Sequence, residues 1–235
     1  QRPYTPPAPF RFQVINKELK LIEGQDLMLN ITTIGSLTPD EVQIITANQN
    51  YFLNKDAVGK FSFLFENVTQ NFTFYLKSNQ VTSLPFKVKV LKKPTIIGFK
   101  MHLNYPDYTN RQDITISNTG NATVPEGTLI TWNLQTKQTN VLSFISGTNQ
   151  ENFDSSKTNN FGLSKKLLNS LSYQVATSNT DLNSFEKLSY SILVIKDEFP
   201  KIAVTSDIDS INFGVAQFAG QISDDYGLSK LELVY

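Results

Sequence analysis

Residues Glu23–Thr32, EGQDLMLNIT, open on a Glu-Gly turn and continue with apolar residues at every second position: Leu27, Leu29 and Ile31. That is the period of a strand with one buried face. The phrase returns at Glu126–Gln135 as EGTLITWNLQ, and setting Gly24 on Gly127 places Ile130, Trp132 and Leu134 opposite Leu27, Leu29 and Ile31. A slip of one residue would turn every side chain to the other face, so the shared register marks a repeated domain.

Two further phrases recur. FTFYLKSN (Phe72–Asn79) parallels LSYQVATSN (Leu171–Asn179), and FKVKVLKKP (Phe86–Pro94) parallels YSILVIKDEFP (Tyr190–Pro200). Their offsets are close to that of the first pair, which fits one domain length with loop insertions. VIKDEFPKI, Val194–Ile202, therefore reads as a seam between domains.

Each repeat shows short strands separated by Asn, Gly, Ser and Pro clusters, without helical period. About seven such strands in about 100 residues predict an immunoglobulin-like sandwich. The expected fold class is all-β: tandem immunoglobulin-like β-sandwiches with a truncated third domain. Residues 1–9 form a proline-rich stiff spacer, 10–93 the first sandwich, 94–197 the second, and 198–235 the start of a third. This last piece offers three strand candidates, KIAVTS, VAQFAGQIS and LSKLELVY, too few to close two sheets. The chain is accordingly expected to be a fragment of a longer protein. Within the second sandwich, Ser146–Asn160 reads as a long polar loop, and LSKKLLNSL, Leu163–Leu171, as a short helix. Lys87 and Lys89 alternate outward along one strand, as edge-protecting lysines do.

The formal charge is zero, from 21 basic and 21 acidic residues, which speaks against a nucleic-acid or anionic-membrane surface. The balance is uneven along the chain: residues 10–93 carry 10 basic and 7 acidic residues, and 198–235 carry 2 and 6. Without cysteine there is no disulfide, thiol catalysis or Cys-held metal, and a bacterial source is the better reading for a domain of this kind. With no apolar run near 18 residues, membrane contact is expected only through an anchor elsewhere.

Chemistry has few residues to stand on. His102 is the only histidine, and no G-x-S-x-G elbow, Walker loop or dinucleotide fingerprint accompanies it, so no catalytic residue is assigned. The acidic residues Asp197, Glu198, Asp207, Asp209, Asp224 and Asp225 form a candidate calcium set, since loops of tandem β-domains gather at their poles. DIDSINFG fails the EF-hand pattern, with Ile211 at the fifth place and Gly214 two places late. Tyr105 and Tyr108, in YPDYT, are the candidate glycan-stacking pair.

RPYTPPAPFRFQV at the start, YPDYT with NATVPEGTLITWNLQT, and ISDDYGLSKLELVY at the end together resemble the bacterial envelope proteins of the domain of unknown function 4175 family. The resemblance implies an N-terminal membrane anchor, a run of immunoglobulin-like domains outside the cytoplasm, and no catalytic residues to carry over. The expected function is a non-catalytic periplasmic spacer or scaffold for an envelope protein partner. The alternative is a glycan- or peptidoglycan-binding module with a calcium-stiffened seam.

Overall fold

The computed structural model describes residues 8–47, 49–207, 217–225, 227, 228, 230–232 and 234. Most of the proline-rich stretch, and Asp209 of the calcium set, lie outside the described residues. The chain divides into two compact units, Gln1–Lys93 and Pro94–Tyr235.

The first unit holds β1 (Phe10–Val14), β2 (Lys20–Ile22), β3 (Gln25–Gly35), β4 (Gln43–Thr46), β5 (Asn50–Phe52), β6 (Asn54–Ala57), β7 (Lys60–Val68), β8 (Phe72–Ser78), β9 (Val81–Thr82) and β10 (Phe86–Leu91). One sheet runs β1-β3-β7-β6 and the other β2-β10-β8-β4-β5, with β9 beside β8. The second unit holds β11 (Thr95–Asn104), β12 (Ile114–Ser117), β13 (Ala122–Pro125), β14 (Leu129–Lys137), β15 (Val141–Ser146), β16 (Asn149–Asn152), β17 (Asp154–Lys157), β18 (Asn160–Lys166), β19 (Leu171–Ser178) and β20 (Lys187–Ile195). Its sheets run β12-β11-β14-β18-β17 and β13-β20-β19-β15-β16. Both are two-sheet immunoglobulin-like sandwiches, and the chain is a tandem of this fold.

The same device starts each sandwich. β1 and β11 pair antiparallel with β3 and β14 in one sheet; the chain then crosses, and β2 and β13 pair in parallel with the last strands β10 and β20 of the other. The inward faces are those expected from the alternation. Leu27, Leu29 and Ile31 on β3, and Ile130, Trp132 and Leu134 on β14, are all buried.

The cores differ in chemistry. The first is apolar, with ring contacts passing from Tyr51 through Phe63, Phe65, Phe72 and Phe74 to Phe86. In the second, Trp132 Nε1 donates to Tyr173 Oη across the sandwich at 2.9 Å, and that hydroxyl donates to the Gly120 carbonyl at 2.8 Å. Phe144 stacks on the Tyr173 ring at 4.8 Å. Burial pushes the Tyr173 phenol well above its ordinary range, so it stays a neutral donor. Gly120 is required by contact: a Cβ there would lie 2.4 Å from the Tyr173 hydroxyl and 2.6 Å from the Tyr190 ring.

Three expectations are corrected. Residues 146–160 are not a long loop but carry the edge strands β16 and β17, whose residues are all exposed. Their polarity reports solvation, and backbone pairing holds them, helped on β16 by the Ser143 hydroxyl, which donates to Asn152 Oδ1 and accepts from Gln150 Nε2. LSKKLLNSL forms no helix: Leu163–Lys166 completes β18, Leu171 starts β19, and buried Leu167 exchanges hydrogen bonds with the Gly127–Thr128 backbone. Lys87 and Lys89 do not guard an edge, because β10 is flanked by β2 and β8.

A final hairpin, β21 (Lys201–Asp207) with β22 (Gln217–Ser223), belongs to the second unit. Its register puts Ile202 on Ile222 and Val204 on Gly220. Among the described residues no helix is long and apolar enough to cross a membrane, which says nothing of strand-built barrels.

Tyr173→Phe leaves the Trp132 N–H and the Gly120 carbonyl without their buried partner, and is expected to destabilise the second unit by about 2 kcal/mol. Trp132 is the only tryptophan, so denaturation followed by its fluorescence reads that unit alone. Its midpoint is expected to fall in Tyr173→Phe and further in Gly120→Ala. The part of the far-UV circular dichroism transition that belongs to the first unit should stay in place.

Candidate functional site

The Glu-Gly turn is where each sandwich fastens its two sheets together. Gly24 and Gly127 have φ of +81° and +85°, a left-handed region that glycine adopts without strain. Glu23 N donates to Leu91 O and Gly24 N to Val68 O; Glu126 N donates to Ile195 O and Gly127 N to Leu167 O. The turn thus bonds the last strand of one sheet and the end of a strand in the other.

A lysine leaving the last strand closes the arrangement. Lys92 Nζ donates to Glu23 Oε1 at 2.8 Å and to Thr69 O at 2.8 Å. Lys196 Nζ donates to Glu126 Oε1 at 2.9 Å and to Leu168 O. Sequence reasoning missed this pair, although Lys92 and Lys196 occupy matching places in VLK and VIK.

In the second unit this pole gathers several of the expected site residues. Asp197, Glu198 and Asp224 share with Glu126, Tyr108 and Lys230 the lining of an open cavity of about 530 Å³. The Lys196 hydrogen bond is the first cause holding the Glu126 carboxyl below its ordinary range. Asp197 is raised instead, by the protein atoms that crowd it and by the carboxylates of Asp225, Asp224 and Glu126. Asp197 is exposed, so the like charges are the part that salt will screen. Glu198 is paired with Lys201 at 3.0 Å. Asp207 ends β21, and its side chain is not among those described. Among the described residues no three carboxylate or imidazole groups are placed to hold a metal ion.

Tyr105 and Tyr108 are brought near the same end but are already engaged. Tyr105 packs against the core, with the Arg111 guanidinium 5.8 Å from its ring centroid. Tyr108 is 39% exposed, and its hydroxyl donates to Glu126 O at 2.6 Å. His102 lies on the outer side of the β11–β12 ladder opposite Thr115, with Nδ1 3.0 Å from the Thr115 hydroxyl. Its Nε2 is 3.9 Å from Asp113 Oδ2, beyond hydrogen-bond reach. Asp113 is instead a strut, accepting from Asn104 Nδ2 at 2.5 Å and Tyr105 N at 3.0 Å, which lowers its pKa. This arrangement lacks the hydrogen-bonded acid, base and nucleophile that acyl transfer requires.

No protein-family model matches the chain, and no curated protein matches it in sequence. Several solved structures are similar to most of the chain. The titin I-band fragment I67–I69 is 12% identical, covering 91% of this chain and 76% of that chain with a TM-score of 0.43. Bovine butyrophilin is 10% identical, covering 80% of this chain and 100% of that chain at 0.44. The ICAM-5 D1–D4 ectodomain fragment is 10% identical, covering 96% of this chain and 71% of that chain at 0.40.

The two neighbouring acids are expected to shift in opposite directions, Asp197 titrating above the ordinary 3.8 of an aspartate and Glu126 below the ordinary 4.5 of a glutamate. A raised folded-state acid pKa works against folding at neutral pH, and that effect is relieved as pH falls through it. The lowered Glu126 contributes stability that is lost as pH falls through its folded value. Carboxyl NMR titration checks the two directions, and Lys196→Met should move the Glu126 midpoint back up.

Proposed function

We propose that this chain is a non-catalytic spacer and interaction scaffold, the periplasmic immunoglobulin-like region of a membrane-anchored bacterial envelope protein. One observation carries the reading: both sandwiches fasten the exit of their last strand to the Glu-Gly turn with the same backbone bonds and the same Lys–Glu pair. A domain in a string transmits load through its first and last strands. Here β2 with β10, and β13 with β20, run in parallel, so a pull on the two ends of a sandwich shears the ladder bonds together rather than one by one. The lysine clamps sit where that load leaves the domain.

The hairpin fits a third repeat of the same kind. β21 pairs with β22 as β1 does with β3 and β11 with β14, and Ile202, Val204, Phe218 and Ile222 share one face. Glycan binding through Tyr105 and Tyr108 has less support, since one ring is packed and the other hydroxyl is engaged.

Single-molecule stretching of the whole chain tests the spacer reading. Two resisted unfolding events are expected, with Lys92→Met lowering the force of one and Lys196→Met that of the other. Extension without resisted events, or clamp variants indistinguishable from the parent, would sink the load-bearing role.

A further inference from the structure

The six strands of the first unit's second sheet read KLI, FKVKVL, FTFYLKS, VT, QIIT and NYF. They contain Lys20, Lys77, Lys87 and Lys89 and not one Asp or Glu. Each lysine is exposed and neighbours a buried residue, Leu21, Leu76, Val88 or Val90, so all four rise from the outer face of the sheet. Lys89 and Lys20 are ladder partners, and like charges on neighbouring strands repel. Because β10 and β8 are inner strands, edge protection does not account for Lys87, Lys89 and Lys77, whereas Lys20 lies on the edge strand β2. Two exposed rings accompany the cations. Tyr75 lies two residues from Lys77, and Phe52 pairs with Gln43, the ladder partner of Lys77.

The chain carries the complement of this face elsewhere. Asp197-Glu198-Phe199-Pro200 presents two exposed carboxylates and then a ring that is 92% exposed. Asp224 and Glu126 line the same open cavity as Asp197 and Glu198. Residues 198–235 carry six acidic residues against two basic.

We propose that the lysine face of the first sandwich docks the acidic Asp197–Phe199 segment of a second copy of this chain. The two patches differ, so the contact is heterologous and adds copies head to tail instead of closing a symmetric dimer. Lysines and carboxylates supply attraction and register; Phe199, Tyr75 and Phe52 supply apolar area. The inference adds to the spacer reading without depending on it, because it concerns association in solution and not resistance to force.

Sedimentation velocity of the whole chain tests it in about 10 mM salt, where charges act over about 30 Å, and in about 1 M salt, where they act over about 3 Å. The parent chain is expected to gain mass with concentration in low salt and to be monomeric in high salt. Lys87→Glu with Lys89→Glu, and separately Asp197→Lys with Glu198→Lys, are expected to stay monomeric in low salt with parental circular dichroism. Mixing the two variants restores opposite charges and is expected to restore association. A parent chain that remains monomeric in low salt overturns the proposal. Association that survives either reversal, or a mixture no heavier than its components, overturns it as well.

Discussion

Both sandwiches depend on one crossing, the point at which the chain leaves one sheet and enters the other at Glu23-Gly24 and Glu126-Gly127. The strand before the crossing lies beside the last strand of its sheet, and the strand after it is central in the opposite sheet. Only a sharp turn makes both placements possible, and the positive φ of the glycine provides it. The turn's two N–H groups then bond the ends of strands in each sheet, so one dipeptide fixes the spacing of the layers at that pole. The parallel pairing of β2 with β10 and of β13 with β20 follows from where the turn holds the chain.

What could be read in the sequence was whatever alternates or repeats. The inward faces of β3 and β14 follow from Leu27, Leu29, Ile31 and their counterparts, because burial on one side imposes a period of two. The edge strands β16 and β17 were not legible: with no buried side chain they carry no alternation, and their strand character rests on backbone bonds to β15 and β18. LSKKLLNSL misled because a strand ending on a bend places Leu163, Leu167, Leu168 and Leu171 at helix-like spacing.

The pole was legible in part. Acidic residues in the seam and after β22 do approach one another, as the shift on Asp197 registers. Their partners were not, because Lys196 reaches Glu126 across 70 positions of sequence and Tyr108 spends its hydroxyl on a backbone carbonyl. A tyrosine in a turn reads the same from sequence whether its ring awaits a ligand or braces the turn itself. The distinction lies in the third dimension.

The two cores show how a cysteine-free sandwich joins its layers. Trp132 on β14 and Tyr173 on β19 meet across the interior, between the two strands that a disulfide bridges in antibody domains. In the first unit Leu29 and Phe74 occupy the matching places, with no polar bond between them. A disulfide would constrain the unfolded chain and contribute about 2–4 kcal/mol. A buried hydrogen bond contributes about 1 kcal/mol net and leaves the unfolded chain unconstrained. The difference has to come from packing, which is why rings crowd both interiors: Phe144 against Tyr173 and Trp132 in one, and the line from Phe63 to Phe86 in the other. The hydrogen bond's particular contribution is geometric. It holds Tyr173 where its hydroxyl reaches Gly120, and through Gly120 it positions the loop that leads into β13 and the Glu-Gly crossing.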